Sequence, residues 1–250
     1  MGEPGRRAIS RTLHKLVAQH EVDLVFGNGE NAAGGFGITP ELAQELFELG
    51  LSVITTGNHA WDRKEILDFI PYEPRLLRPA NYPQGTPGRG STVVESSSGE
   101  RLAVMQVMGR VYMPTLDCPF QVARREVERL KAETRAIIVD MHAEATSEKM
   151  AMGHFLDGDV TAVVGTHTHV QTADEQILPK GTAYITDIGM TGPIHSVIGI
   201  KKETAIEKFV TQMPRRFEVA SGPAVLSAVL IELDTVLGKA IRIERIRIPE

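Results

Sequence analysis

Val160-Thr161-Ala162-Val163-Val164-Gly165-Thr166-His167-Thr168-His169 carries an apolar run straight into a pair of histidines. The first five residues read as a buried strand. The i, i+2 histidines that follow point two imidazoles away from one loop, where each offers a neutral ring nitrogen to a metal. The pattern recurs: three other apolar runs end in Asn28-Gly29-Glu30-Asn31, Gly57-Asn58-His59 and Asp140-Met141-His142. In open α/β sheets ligands bind beyond the carboxyl ends of the strands. Four strand ends bearing His, Asn and Glu are therefore read as one site.

Around these ends the chain alternates strand and helix. Helical periodicity covers 6–20, 41–49, 120–131, 147–155 and 202–209, with a short helix at 63–69 that Asp62 is expected to cap. Strands are expected at 22–26, 51–55, 136–140, 160–164 and 182–186, with a hairpin of 92–95 and 101–107. The prolines and glycines of 71–90 mark an irregular loop. Toward the end, 216–220, 225–233 and 239–248 read as antiparallel strands. The last alternates Ile241, Ile243, Ile246 and Ile248 with charges, and its one slip at Arg245 suggests a bulge. Alternating β and α first and β-rich sequence later indicate a mixed pair of sheets covered by helices. No linker or repeat divides the 250 residues, so one domain over 1–250 is expected.

Composition narrows the function. The 42% hydrophobic and 24% charged content is that of an ordinary globular protein. A net charge of −5 and a pI near 5.9 argue against non-specific binding to nucleic acid or anionic membranes. The single cysteine, Cys118, allows no internal disulfide and reads as a small packing thiol. No secretory signal is visible and no apolar run approaches the ~20 residues of a membrane span. Cytoplasmic location is the expectation, and homo-oligomerisation is compatible with the sequence.

Glu30 offers two oxygens and can bridge cations; Asn31 and Asn58 offer amide oxygens; His142, His167 and His169 offer imidazole. A mixed N/O set without thiolate suits Fe or Mn, with Zn and Co also compatible. Six donors exceed the needs of one tetrahedral zinc and fit two ions about 3.5–4 Å apart. Taken singly, each has a plainer role: Asn-Gly and Gly-Asn make turns, a lone histidine packs, and a glutamate in a Gly-rich loop faces water. Joint placement at strand ends separates these six from His14, His20, His154, Asp157, Asp159 and Trp61, which read as solvated or structural. His195 lies in a loop able to approach the site.

Seven motifs then carry a resemblance. They are Gly-Glu-Asn-Ala-Ala (29–33), Gly-Asn-His-Ala-Trp-Asp (57–62), Arg-Pro-Ala-Asn-Tyr-Pro (78–83), Gly-Thr-Pro-Gly-x-Gly (85–90), His-Ala-Glu-Ala-Thr-Ser-Glu-Lys (142–149), Gly-Thr-His-Thr-His-Val (165–170) and Thr-Asp-Ile-Gly-Met-Thr-Gly-Pro (186–193). In this order they resemble the YmdB-like metallophosphoesterases, calcineurin-like dinuclear enzymes described as 2′,3′-cyclic-nucleotide 2′-phosphodiesterases. The resemblance implies a four-layer α/β/β/α sandwich and a small phosphoester or nucleotide substrate. It implies that Glu30 bridges two metals, one also held by Asn31 and His169 and the other by Asn58, His142 and His167. His59 is then the general acid or electrostatic helper at the leaving oxygen. The family begins with a strand ending in Gly-Asp-x-x-Gly, whose Asp is a further ligand. Here the match starts at Gly2, so that strand is absent, and either a mis-assigned start (a family valine would fall at Met1) or a truncation accounts for it. The other readings are a phosphatase or nuclease acting on another ester, and a non-catalytic regulator that keeps the fold.

Overall fold

Four layers form from this alternation in the computed structural model, which describes residues 1–250. In chain order the first half gives α1 (Gly2–His20), β1 (Phe26–Asn28), α2 (Pro40–Glu48), β2 (Val53–Thr55), β3 (Leu76–Leu77), β4 (Ser91–Glu95) and β5 (Arg101–Met108). Next come α3 (Pro119–Leu130), β6 (Ile137–His142), α4 (Thr146–Phe155), β7 (Ala162–Thr166), β8 (Gln176–Ile177) and β9 (Ala183–Ile185). The chain closes with β10 (Gly192–Pro193), α5 (Lys202–Thr211), β11 (Ala224–Asp234) and β12 (Lys239–Pro249). Local chemistry sets the helix starts. Pro40 opens α2, and Thr39 Oγ1 accepts from the Leu42 amide; Pro119 opens α3 without a side-chain cap.

The larger sheet runs β4-β5-β6-β7-β9-β8, parallel from β5 to β9. One face packs Ile137, Val139, Met141 and Val163 against Val122, Val127 and Leu130 of α3 and Met152 of α4. Its other face sets Ile138, Val164 and Ile185 against Phe26, Val229, Ile231 and Ile243 of the second layer. The outermost layer is α1 and α2, whose Leu13, Ala43, Leu46 and Phe47 pack over Ile54 and Leu76. This is the α/β/β/α order expected, with one refinement. The second layer is two three-stranded sheets, β1-β2-β3 and β10-β11-β12. A cavity of about 660 Å³ is lined by Phe26 and Asn28 of one and Leu226, Ala228 and Leu230 of the other.

Several boundaries differ from the sequence reading for physical reasons. Pairing of the first strand begins at Phe26↔Val53, with the Ser52 amide donating to the Val25 carbonyl just ahead of it, so residues 22–24 lie outside the sheet. The short helix is a 3₁₀ turn, Lys64–Asp68, with Arg63 at its cap, and Asp62 is spent elsewhere. Residues 216–220 make one isolated bridge, Ile200↔Val219, rather than a strand. The slip at Arg245 is not a bulge. Ile243 faces the large sheet while Ile246 and Ile248 face Leu16 of α1, so a strand covered on both sides presents apolar residues to each. The register shift lies near Glu232/Leu233 instead, which leaves Ile241 unpaired and exposed.

Candidate metal centre

Alternation along β6 builds the site. Ile138, Asp140 and His142 share the face toward the second layer, so the strand turns from apolar to polar only at its carboxyl end. Its parallel neighbours end at the same level: Met108 of β5 and Thr166 of β7 are the register partners of His142. From the second layer, the turns after β1 and β2 bring Glu30 and Asn58. Glu30 Oε2 lies 3.2 Å from His142 Nε2, and Asn58 Oδ1 lies 2.7 Å from the same nitrogen. Ligand atoms of Glu30, His142 and His167 all fall within 4.8 Å of one another. Gly57 makes this approach feasible. At φ +54 it carries no Cβ, and one placed there would lie 2.2 Å from Glu30 Oε2 and 2.5 Å from His142 Nε2.

His167 and His169 reach the centre on a bent loop. Both adopt left-handed backbone, at φ 100 and 67, a conformation that costs of order 1–3 kcal/mol per non-glycine residue. Asp187 holds the loop in this shape. Its Oδ2 accepts from the Thr168 amide (3.0 Å), the Thr168 hydroxyl (2.8 Å) and Lys149 Nζ (2.8 Å), while Oδ1 accepts from the Gly189 amide. Lys149 is fully buried, so the carboxylate is both anchor and counter-charge.

The donor set suits a cation on physical grounds. His169 Nδ1 donates to the Ile198 carbonyl at 2.8 Å, which leaves Nε2 with a bare lone pair. That nitrogen faces Asn31 Oδ1 at 3.1 Å, and Asn31 cannot flip because its Nδ2 donates to the Gly35 carbonyl. Two acceptors thus confront each other. Deeper in, Glu30 Oε2 is buried with no hydrogen-bond partner. A positive ion resolves both conflicts.

Charge follows the geometry. Burial opposes ionisation of Glu30, yet the rings of His142, His59 and His167 hold its carboxyl below the ordinary value. Burial also opposes charging of His142, but the Glu30 carboxylate pushes that ring up. His167 is lowered to about 4 by burial and by the neighbouring His142. His169 is lowered by burial as well, partly offset by the Ile198 carbonyl.

His59 sits beside the cluster with a different support. Its Nδ1 lies 2.8 Å from Asp62 Oδ2, and Phe36 packs edge-on at 5.4 Å. The carboxylate accepts from Nδ1, so Nε2 is the ring nitrogen left free. All seven residues singled out from the sequence therefore lie at the strand ends, in two contacting groups (Glu30, Asn58, His142 and His167; Asn31 and His169) with His59 alongside. His195 is exposed and stands apart.

Sequence reasoning gave no role to Asp140, Gln106, Asp187, Lys149 or Glu144, whose Oε2 lies 3.2 Å from His167 Nε2. A signal existed for the first two: each is a lone polar residue inside an apolar strand, which calls for a buried partner.

A chain from Bacillus subtilis (strain 168), named 2′,3′-cyclic-nucleotide 2′-phosphodiesterase, is 50% identical over 248 residues, covering 99% of this chain and 94% of that one. A crystal structure of a hypothetical protein from Thermus thermophilus superposes with a TM-score of 0.93 at 44% identity, covering 100% of this chain and 96% of the other. A crystal structure described as a novel phosphatase from Mycoplasma pneumoniae gives 0.92 at 39% identity, covering 99% and 90%. The model of the family described as YmdB-like protein matches residues 1–246. Whole-length sequence match, shared fold and a strand-end cluster of His, Asn and Glu lead to one assignment: this chain belongs to the YmdB-like family.

Proposed function

We propose that residues 1–250 form one metallophosphoesterase domain that hydrolyses 2′,3′-cyclic nucleotides at the 2′ bond, leaving a 3′-phosphate. The observation that carries the metal requirement is the confrontation of bare acceptors, Nε2 of His169 with Oδ1 of Asn31, beside the unpartnered Oε2 of Glu30. Two divalent ions would be held by Glu30 together with Asn31 and His169 on one side and Asn58, His142 and His167 on the other. Iron or manganese suits this N/O set best, with zinc and cobalt also compatible. Bound ions supply positive charge against the phosphate oxygens and acidify water at the site. The substrate class rests on the Bacillus subtilis relative's name together with the family's motifs.

The chain's own residues do the rest. Gly57 lets the Asn58-His59 turn close over Glu30. Asp62 accepts from Nδ1 and fixes the orientation of the His59 ring, which leaves Nε2 as the nitrogen that can carry a proton toward the ester. As water oxygen bonds to phosphorus, releasing a proton to solvent, and the P–O2′ bond breaks, His59 Nε2 gives its own proton to the departing 2′ oxygen and is reprotonated from solvent. Metal-depleted protein, reloaded with Mn²⁺ and supplied with 2′,3′-cyclic AMP, should yield 3′-AMP by ³¹P NMR, and none before reloading. A 2′-AMP product, or turnover of simple monoesters alone, contradicts this reading.

A further inference from the structure

We propose that the buried carboxylate of Asp140 acts through Thr166 to fix the ring proton of His142 on Nδ1, keeping Nε2 bare for a cation. The inference rests on the reading of His142 as a metal ligand and concerns what makes it one. Register places the three groups together: Asp140 and His142 share a face of β6, and Thr166 is the partner of His142 on β7.

With Asp140 ionised, the directions of the hydrogen bonds follow from groups that have no choice. Gln106 Oε1 accepts from the amides of Thr56 and Gly57, at 3.3 and 3.0 Å, and backbone amides only donate. The Gln106 side chain is thereby oriented, and its Nε2 donates to Asp140 Oδ2 at 2.7 Å. The Thr55 hydroxyl also donates to Oδ2 at 2.7 Å, which fills that oxygen. Oδ1 is left for Thr166, whose hydroxyl donates to it at 2.6 Å. A hydroxyl has one proton. With that proton committed to Asp140, Thr166 Oγ1 can only accept from His142 Nδ1, 2.8 Å away. In the neutral ring Nδ1 therefore carries hydrogen, and Nε2 presents its lone pair toward Glu30 and Asn58.

The same carboxylate reaches the other ligand turn. Through Gln106 it holds the Thr56 and Gly57 amides, and hence the position of Asn58. Asp140 is thus a positioning residue for two ligands from two layers of the fold, although it touches neither the metal nor the substrate. A buried carboxylate that merely stabilised the strands would not care which ring nitrogen bears the proton.

The test uses the full chain and three isosteric or near-isosteric changes. Thr166→Val removes the relay, Asp140→Asn places an amide donor within reach of Thr166, and Thr166→Ser keeps the hydroxyl. Long-range ¹H–¹⁵N spectra of metal-free protein, at alkaline pH where the ring is neutral, should show His142 as the Nδ1–H tautomer in the parent and in Thr166→Ser. Thr166→Val and Asp140→Asn should show the Nε2–H form or a mixture. Calorimetric Mn²⁺ affinity should fall 10–100-fold in the same two variants, the usual effect of removing a partner behind a ligating histidine, and return to within about threefold in Thr166→Ser. Should Asp140→Asn fail to fold, Thr166→Val decides alone. Parent-like tautomer and affinity in Thr166→Val, with affinity lost in His142→Ala, overturn the relay and leave the metal reading standing. Unchanged Mn²⁺ affinity in His142→Ala overturns both.

Discussion

The two halves of the centre are built differently. On the deep side, His142 stands at the end of a fully buried strand and Glu30 is 2% exposed. Their neighbours are other strand ends and a hydrogen-bonded carboxylate. On the outer side, Asn31 and His169 are oriented by loop carbonyls, those of Gly35 and Ile198, and both of these residues have positive φ. The deep half thus draws its precision from sheet register at His142, and the outer half from hydrogen bonds to loop carbonyls. Its donors differ too. The deep side offers two imidazoles and an amide oxygen besides Glu30, the outer side one of each. Two cations repel at close range, and a single shared carboxylate offsets that only in part. The deep ion should bind first and leave last.

Glu30→Ala should break the comparison most completely, because in the proposed centre both halves would use that residue. Metal-dependent turnover should fall to background and elemental analysis should show loss of both ions; one full equivalent retained would mean that Glu30 serves only one half. His59→Ala lies outside both halves and should keep the metal while losing about 10²–10⁴ in rate. Loss of metal in that variant would place His59 among the ligands.

Asp187→Asn attacks the loop that serves both sides. It leaves Lys149 buried without its counter-charge, which costs about 3–5 kcal/mol, and it leaves one amide oxygen where two carboxylate oxygens accepted from Thr168, Lys149 and Gly189. Chemical denaturation should read the stability loss, with a more modest change in turnover. A variant as stable as the parent would show that the clamp is not what holds His167 and His169.

How much of this was legible beforehand follows from what each feature depends on. Strand-end ligands show in one dimension, because an apolar run followed by a polar turn is local. The alternation of β and α likewise gave the layers. Asp140 and Gln106 did not show, since their partnership depends on the Gln106↔Asp140 register between strands more than thirty residues apart. Asp62 reads as a helix cap by spacing, yet the 3₁₀ turn at Gly57–His59 carries the His59 ring to it first. The break in the second layer was also invisible, because no local pattern tells whether β1 and β11 meet.

The smallest effect concerns protons. Burial and His142 lower His167 to about 4, well under the ordinary histidine value. Between the two values the unfolded chain binds a proton that the folded chain does not, so this group makes stability rise with pH across that window and contributes nothing above it. NMR titration of metal-free protein should find His167 neutral at pH 5–8; a midpoint near 6.5 would mean that the ring is open to solvent.

Mn²⁺ titration followed by electron paramagnetic resonance tests the unequal, bridged pair most directly. The first equivalent should give an isolated-ion spectrum. The second, weaker equivalent should convert it to an exchange-coupled pair, and Glu30→Ala should abolish the coupling. Two equivalents binding with equal affinity and no coupling, in the parent chain, would contradict it.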